Sequence, residues 1–167
     1  MIRYADEGLK PDIRRVWKEC FHDEDTYIDF FFSEYFNEKT TLVYIHGGQV
    51  VSMLTLMPAK LRFHTKSMDI YYIYAVATLP EHQGKGYSSK LLEYVNKDKN
   101  DATFLLPASK YLEEFYEKNG YEKSIMKKYN NDFDWDLSTY KNMNKPILIL
   151  SLIFAICGAF LILDASS

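Results

Sequence analysis

Residues 68–92, MDIYYIYAVATLPEHQGKGYSSKLL, decide how the chain folds. From Met68 to Thr78 the residues are dense in Tyr, Ile and Val, which predicts a long central strand ending at Leu79 and Pro80. Leu91, Leu92 and Val95 then recur at helical spacing. Between strand and helix lies Gln83-Gly84-Lys85-Gly86-Tyr87-Ser88. A loop that takes a pyrophosphate needs successive backbone N–H groups aimed at one point, little side-chain bulk, and a helix N-terminus behind it. This loop meets all three conditions, and Lys85 adds a positive charge. The amides from Gly84 to Ser89 are expected to be free donors ahead of the helix. Two glycines alone would equally suit a plain surface turn.

Outward from this unit the elements alternate in type. Ile2 to Tyr4 reads as a short strand, and Pro11 starts a helix carrying Ile13, Val16, Trp17, Cys20 and Phe21. After His22 to Asp25, Thr26 opens a second helix whose Tyr27, Phe30, Phe31 and Tyr35 line one side. Thr41 to Ile45 and Val50 to Met57 are strands joined by His46-Gly47-Gly48-Gln49, a pattern for a tight turn with positive φ. Beyond the glycine loop and its helix, Thr103 to Leu106 is a short strand and Ser109 an N-cap. The helix it caps carries Tyr111, Leu112, Phe115 and Tyr116, and Asn119-Gly120 stops it. Tyr121 to Tyr129 resumes as a strand. The polar and aromatic run 130–139 is either a last strand or a linker.

The 167 residues suit one domain with a sizeable core, and 47% hydrophobic content is that of a globular protein. A net charge of -3 disfavours a nucleic-acid surface. Cys20 and Cys157 have neither metal nor disulfide spacing, no histidine pair has the spacing of metal ligands, and no metal is assigned. The N-terminus lacks the apolar stretch of a signal peptide, which fits a cytoplasmic protein. From Ile147 to Leu163 the chain has seventeen residues without a charge, with Lys141 and Lys145 before them. As a helix they would span roughly 26 Å, close to the thickness of a bilayer core. Three readings stay open for this tail: a membrane anchor on the cytoplasmic face, packing on the domain or in a homodimer, or a rearranged end.

Two common nucleotide motifs are excluded, because the loop has neither a third glycine nor Gly-Lys-Ser. The run AVATLPEHQGKGYSSKLL, Ala75 to Leu92, instead resembles the acetyl-CoA-binding segment of the GCN5-related N-acetyltransferase superfamily, with its Q/R-x-x-G-x-G/A pattern. Ser88 departs from that pattern, standing where Gly or Ala is usual. LLPASKYLEEFYEKNGYEK, Leu105 to Lys123, resembles the family's later strand and helix. Within the superfamily both stretches are most similar to the N-terminal domain of enhanced-intracellular-survival-type proteins.

The resemblance implies a mixed α/β (α+β) fold, with a mostly antiparallel central sheet flanked by helices over residues 1–130. A linker or last strand over 131–146 and a C-terminal hydrophobic helix over 147–163 would follow. It implies an acetyl-CoA-dependent N-acetyltransferase that moves acetyl directly to a primary amine in a ternary complex. Gln83, Gly84, Lys85, Gly86, Tyr87 and Ser88 would hold the diphosphate, and main-chain groups near Val76 and Thr78 the pantetheine arm. Tyr116 would protonate the departing thiolate, a step made easier by any nearby positive charge. The general base stays open among His64, Asp69, Tyr72 and water. The rival reading is a non-catalytic acyl-CoA-binding or scaffold module at a membrane. The acidic run Asp23 to Asp25 either attracts a cationic acceptor or favours a helix start.

Overall fold

A computed structural model of the chain describes residues 1–63, 66–98, 102–122, 124–125 and 160–161. The strands form a five-stranded sheet in the order β1 (Ile2–Tyr4), β2 (Thr41–His46), β3 (Gln49–Phe63), β4 (Lys66–Thr78) and β5 (Thr103–Phe104). β1 with β2 and β2 with β3 run antiparallel, while β4 and β5 run parallel. Helices α1 (Lys10–Phe21), α2 (Asp25–Tyr35), α3 (Tyr87–Asp98) and α4 (Lys110–Lys118) complete a mixed α/β architecture. The fold class is the one the sequence predicts.

Two compact units share the chain. One is Met1–Met57 with Ile73–Asn100, the other Pro58–Tyr72 with Asp101–Ser167. In the first, Gly47 and Gly48 both take left-handed φ, 57° and 81°, so the turn matches the twist of the strands it joins and pairs His46 with Gln49. Pro11 sits in the first turn of α1, where its missing N–H costs nothing, and Ile13, Val16 and Trp17 are buried along one stripe.

Trp17 is the centre of this core. Its ring meets Phe31 at 4.5 Å, Phe21 at 5.5 Å, and Phe32 and Tyr74 at 6.0 Å. Its indole N–H donates to Asp23 Oδ2 at 2.8 Å. Lys18 donates to the Asp23 carbonyl at 2.9 Å and pairs with Asp25 at 3.1 Å. Two of the three acidic residues are therefore held in the turn between α1 and α2, and neither this turn nor α2 shows a side-chain cap bond at Glu24. The buried face of α2 is Ile28, Phe31 and Phe32, shifted from the predicted one because the indole gathers the latter two. Phe30 is half-buried and packs edge-on against Tyr35 at 6.0 Å.

β3 runs past the predicted end at Met57, through Pro58, to Phe63. A proline lacks the N–H of a strand ladder and therefore reads as a stop in sequence. In the second unit Ile70 and Phe104 are buried together, with Tyr72 stacked on Phe104 at 4.9 Å. Ser109 caps α4 by accepting from the Leu112 N–H at 3.3 Å, and Gly120, at φ 88°, ends the helix as predicted. Tyr121 is buried but lies outside any strand; pairing resumes only at β6 (Ser124–Ile125), antiparallel to β7 (Phe160–Leu161). Residues 126–159 and 162–167, and with them the linker and nearly all of the apolar run 147–163, lie outside the described residues. The two described residues of that run are strand, and among the described residues no helix is long and apolar enough to cross a membrane.

Trp17→Ala would open a large cavity where five rings meet, and is expected to lower the unfolding free energy by about 3–5 kcal/mol. A urea titration followed by circular dichroism checks this; a loss under about 1 kcal/mol would contradict the central place given to the indole.

Candidate functional site

The C-terminal half of β4 feeds the glycine loop. Ala75 has φ 52°, a left-handed conformation that costs an L-residue about 1–2 kcal/mol. This kink stands one residue before Val76, which is half-buried. Among the described residues β5 pairs with β4 at Tyr71 and Tyr72, so Ile73 to Thr78 continue past the last of those pairs. Nothing in the sequence marked Ala75, because alanine has no preference for left-handed backbone.

At the end of β4 the chain turns through a 3₁₀ turn, Pro80–His82. The Thr78 carbonyl accepts from Gln83 Nε2 at 3.1 Å and from the Cys20 thiol at 3.4 Å, so both of its lone pairs are taken. Burial pushes the Cys20 thiol up to about 11, aided by Glu19 and Glu81, and keeps it a proton donor. Gly84 and Gly86 have φ of 72° and 75°, and a Cβ at either would meet no protein atom within 4 Å. Glycine is required there by the backbone conformation, and the space in front of the loop is open.

α3 starts immediately afterwards, with Lys90 N–H donating to the Gly86 carbonyl at 3.1 Å. The amides from Gly86 to Ser89 precede that bond and have no acceptor within the helix. They are fixed donors at the positive end of a helix dipole, the geometry that suits a phosphate. The residues present thus fit a cofactor diphosphate.

The side chains around the loop mostly anchor it. Tyr87 is buried, stacked on Tyr44 at 4.3 Å and near His46 at 5.6 Å, so only its backbone is available for a ligand. Lys85 Nζ folds back onto the Glu81 carbonyl at 2.9 Å, beside His82 Nδ1 at 3.5 Å. Ser88 Oγ lies 2.6 Å from Thr78 Oγ1, which lies 2.8 Å from Ser52 Oγ. Ser52 is fully buried in the apolar stretch VVSMLTL, and a hydroxyl inside such a stretch is itself a sequence signal, because a buried hydroxyl requires a partner.

Val76, Thr78 and Gln83 to Ser88 are brought together in the first unit. Tyr116 stands on α4 in the second. It is 7% exposed, edge-on to Phe115 at 5.2 Å and Tyr121 at 6.1 Å, and among the described residues nothing bonds its hydroxyl. Burial, with a smaller contribution from Tyr121, pushes its phenol up to about 12. The helpful cation that the sequence reading invoked is not the influence found there; burial is. Of the base candidates, Asp69 is exposed, Tyr72 is stacked on Phe104, and His64 lies outside the described residues.

Residues 1–124 match the family described as acetyltransferase (GNAT) domain, and the chain belongs to that family. A comparison with curated proteins finds no match. Among solved structures the fold is similar to a GCN5-related N-acetyltransferase from Anabaena variabilis. The TM-score is 0.64 at 18% identity, covering 74% of this chain and 32% of that one. It is similar to Eis1 from Mycobacterium abscessus, with TM-score 0.58 at 13% identity over 72% of this chain and 31% of that one. A GNAT family acetyltransferase from Brucella melitensis, solved with acetyl-CoA, has TM-score 0.54 at 18% identity over 81% of this chain and 93% of that one. The chain thus spans about a third of the length of the first two structures.

Because the folded pKa of Tyr116 lies above the usual 10, its contribution to stability is complete below pH 10 and lost as pH rises toward 12. The loss amounts to up to about 3 kcal/mol. Tyr116→Phe removes this ionisation, so urea denaturation at pH 9.5 and 11.5 (about the edges of that window) is expected to show a shallower decline for the variant than for the wild type. Equal declines would contradict the buried, neutral phenol.

Proposed function

We propose that the chain is an acetyl-CoA-dependent N-acetyltransferase that passes the acetyl group directly to a primary amine within a ternary complex. The observation that carries this reading is the Gln83–Ser88 loop, whose left-handed Gly84 and Gly86 lead β4 into an α3 N-terminus whose first amides have no acceptor within the helix. Family membership and a structural neighbour solved with acetyl-CoA support it. Likeness to the enhanced-intracellular-survival type rests on the two quoted sequence stretches and on a fold shared with Eis1.

In this reading the amides from Gly84 to Ser88 grip the diphosphate, and the main chain at Val76 receives the pantetheine arm and polarises the thioester carbonyl. One preorganised N–H donor is worth roughly 3 kcal/mol in such a role. The Thr78 carbonyl is already occupied twice, so Thr78 contributes by holding the strand end. The neutral amine attacks the carbonyl carbon, the C–S bond breaks, and the amine's extra proton leaves to water or a base. The thiolate takes the Tyr116 proton. A phenol at about 12 stays protonated through the physiological range, so Tyr116 is a lasting O–H donor. Full transfer to a thiolate of pKa about 8.5 is uphill by roughly 3.5 units, so the proton moves as C–S cleavage builds charge on sulfur.

Calorimetry with CoA, followed by CoA-release assays over a panel of amines, peptides and aminoglycosides, tests the proposal. Tyr116→Phe is expected to lower kcat by about 10²–10⁴-fold with acetyl-CoA affinity kept. Binding without turnover on any amine would favour a non-catalytic acyl-CoA module, and no binding at millimolar CoA would remove the reading.

A further inference from the structure

The hydroxyls of Ser52, Thr78 and Ser88 form a chain whose direction is forced. Ser52 Oγ lies 2.7 Å from the Ala77 carbonyl, which only accepts, so the single Ser52 proton is committed there. At the 2.8 Å contact between Ser52 and Thr78 the donor must therefore be Thr78. Its one proton being used, the donor at the 2.6 Å contact between Thr78 and Ser88 must be Ser88. Protons run inward from Ser88 through Thr78 and Ser52 to the β4 backbone. Ser52 is fully buried and Thr78 9% exposed, so water competes little with these bonds.

The Ser88 side chain consequently has no proton for a phosphate and turns only lone pairs outward. Its hydroxyl belongs to the scaffold, although it sits in the first turn of α3. We propose that Ser88 and Thr78 are positioning residues: their hydroxyls clamp the first turn of α3 to the end of β4. The clamp holds the loop's amides at the spacing a diphosphate requires before any ligand arrives. It replaces the bare small residue usual at this place in the motif with a bonded one. Gln83, tied to the carbonyl of the same Thr78, fixes the other side of the loop. This inference rests on the proposed cofactor role of the loop.

A double-mutant cycle read by CoA calorimetry tests it. Ser88→Ala and Thr78→Val each interrupt the same chain, so each is expected to weaken CoA binding about tenfold. The double variant is expected to be no weaker than either single one, because one break already releases the clamp. Thr78→Ser keeps the hydroxyl and is expected to stay within about threefold of the wild type. Unchanged affinity in the single variants, or losses that multiply, would overturn the clamp. Amide hydrogen exchange at Lys90 and Leu91 without ligand reads the clamp independently of function. Both single variants should speed it about tenfold without adding, and unchanged exchange would overturn the clamp even where CoA binds. A wild type that fails to bind CoA sinks the proposed function alone.

Discussion

Thr78 is the point on which the site's geometry depends. Its carbonyl holds Gln83 and Cys20, and its hydroxyl joins Ser52 to Ser88, so strand, loop, α1 and the start of α3 converge on one residue. The physical constraint beneath this is the turn itself. Between the end of β4 at Thr78 and the start of α3 at Tyr87 the chain takes left-handed backbone at Gly84 and Gly86. That turn leaves amides with no partner in the helix. Flexible donors would lose entropy on meeting a ligand, whereas donors held by a buried bonded node lose less.

The aromatic core serves the same end, in one cluster with Ala77, Leu79 and Tyr87. Trp17 draws α1 and α2 onto Tyr74, and Tyr74 precedes the strained Ala75 directly. A left-handed alanine persists only where its surroundings over-determine it. Tyr74 supplies that restraint on one side, with its hydroxyl 2.9 Å from that of Tyr27, and buried Ala77 and Thr78 supply it on the other. The kink redirects the backbone at the residue preceding Val76.

The parts of the fold legible in sequence are those with local causes. The Gly47-Gly48 turn, the Ser109 cap, the Gly120 stop and the glycine loop each depend on a few adjacent residues with special backbone or hydrogen-bonding needs, and each stands where expected. Helix faces were less legible: which of Phe30, Phe31 and Phe32 turns inward depends on a tryptophan on another helix. β3 continues through Pro58 although proline is a local stop signal. The acidic turn acquired its role only from the Trp17 indole and Lys18.

The candidate site divides in the same way. The amino-acid sequence by itself determined that a glycine turn and a helix start follow a strand, because glycine spacing and a helix start are properties of consecutive residues. It also determined that Tyr116 belongs to a helix capped at Ser109. Tertiary structure alone decided that Tyr87 anchors the loop by stacking on Tyr44, that the Tyr116 phenol is held neutral by burial, and that Ser52 reaches Ser88 through Thr78. Those outcomes need residues far apart in the chain to share one low-dielectric environment, and no local pattern encodes which distant groups meet.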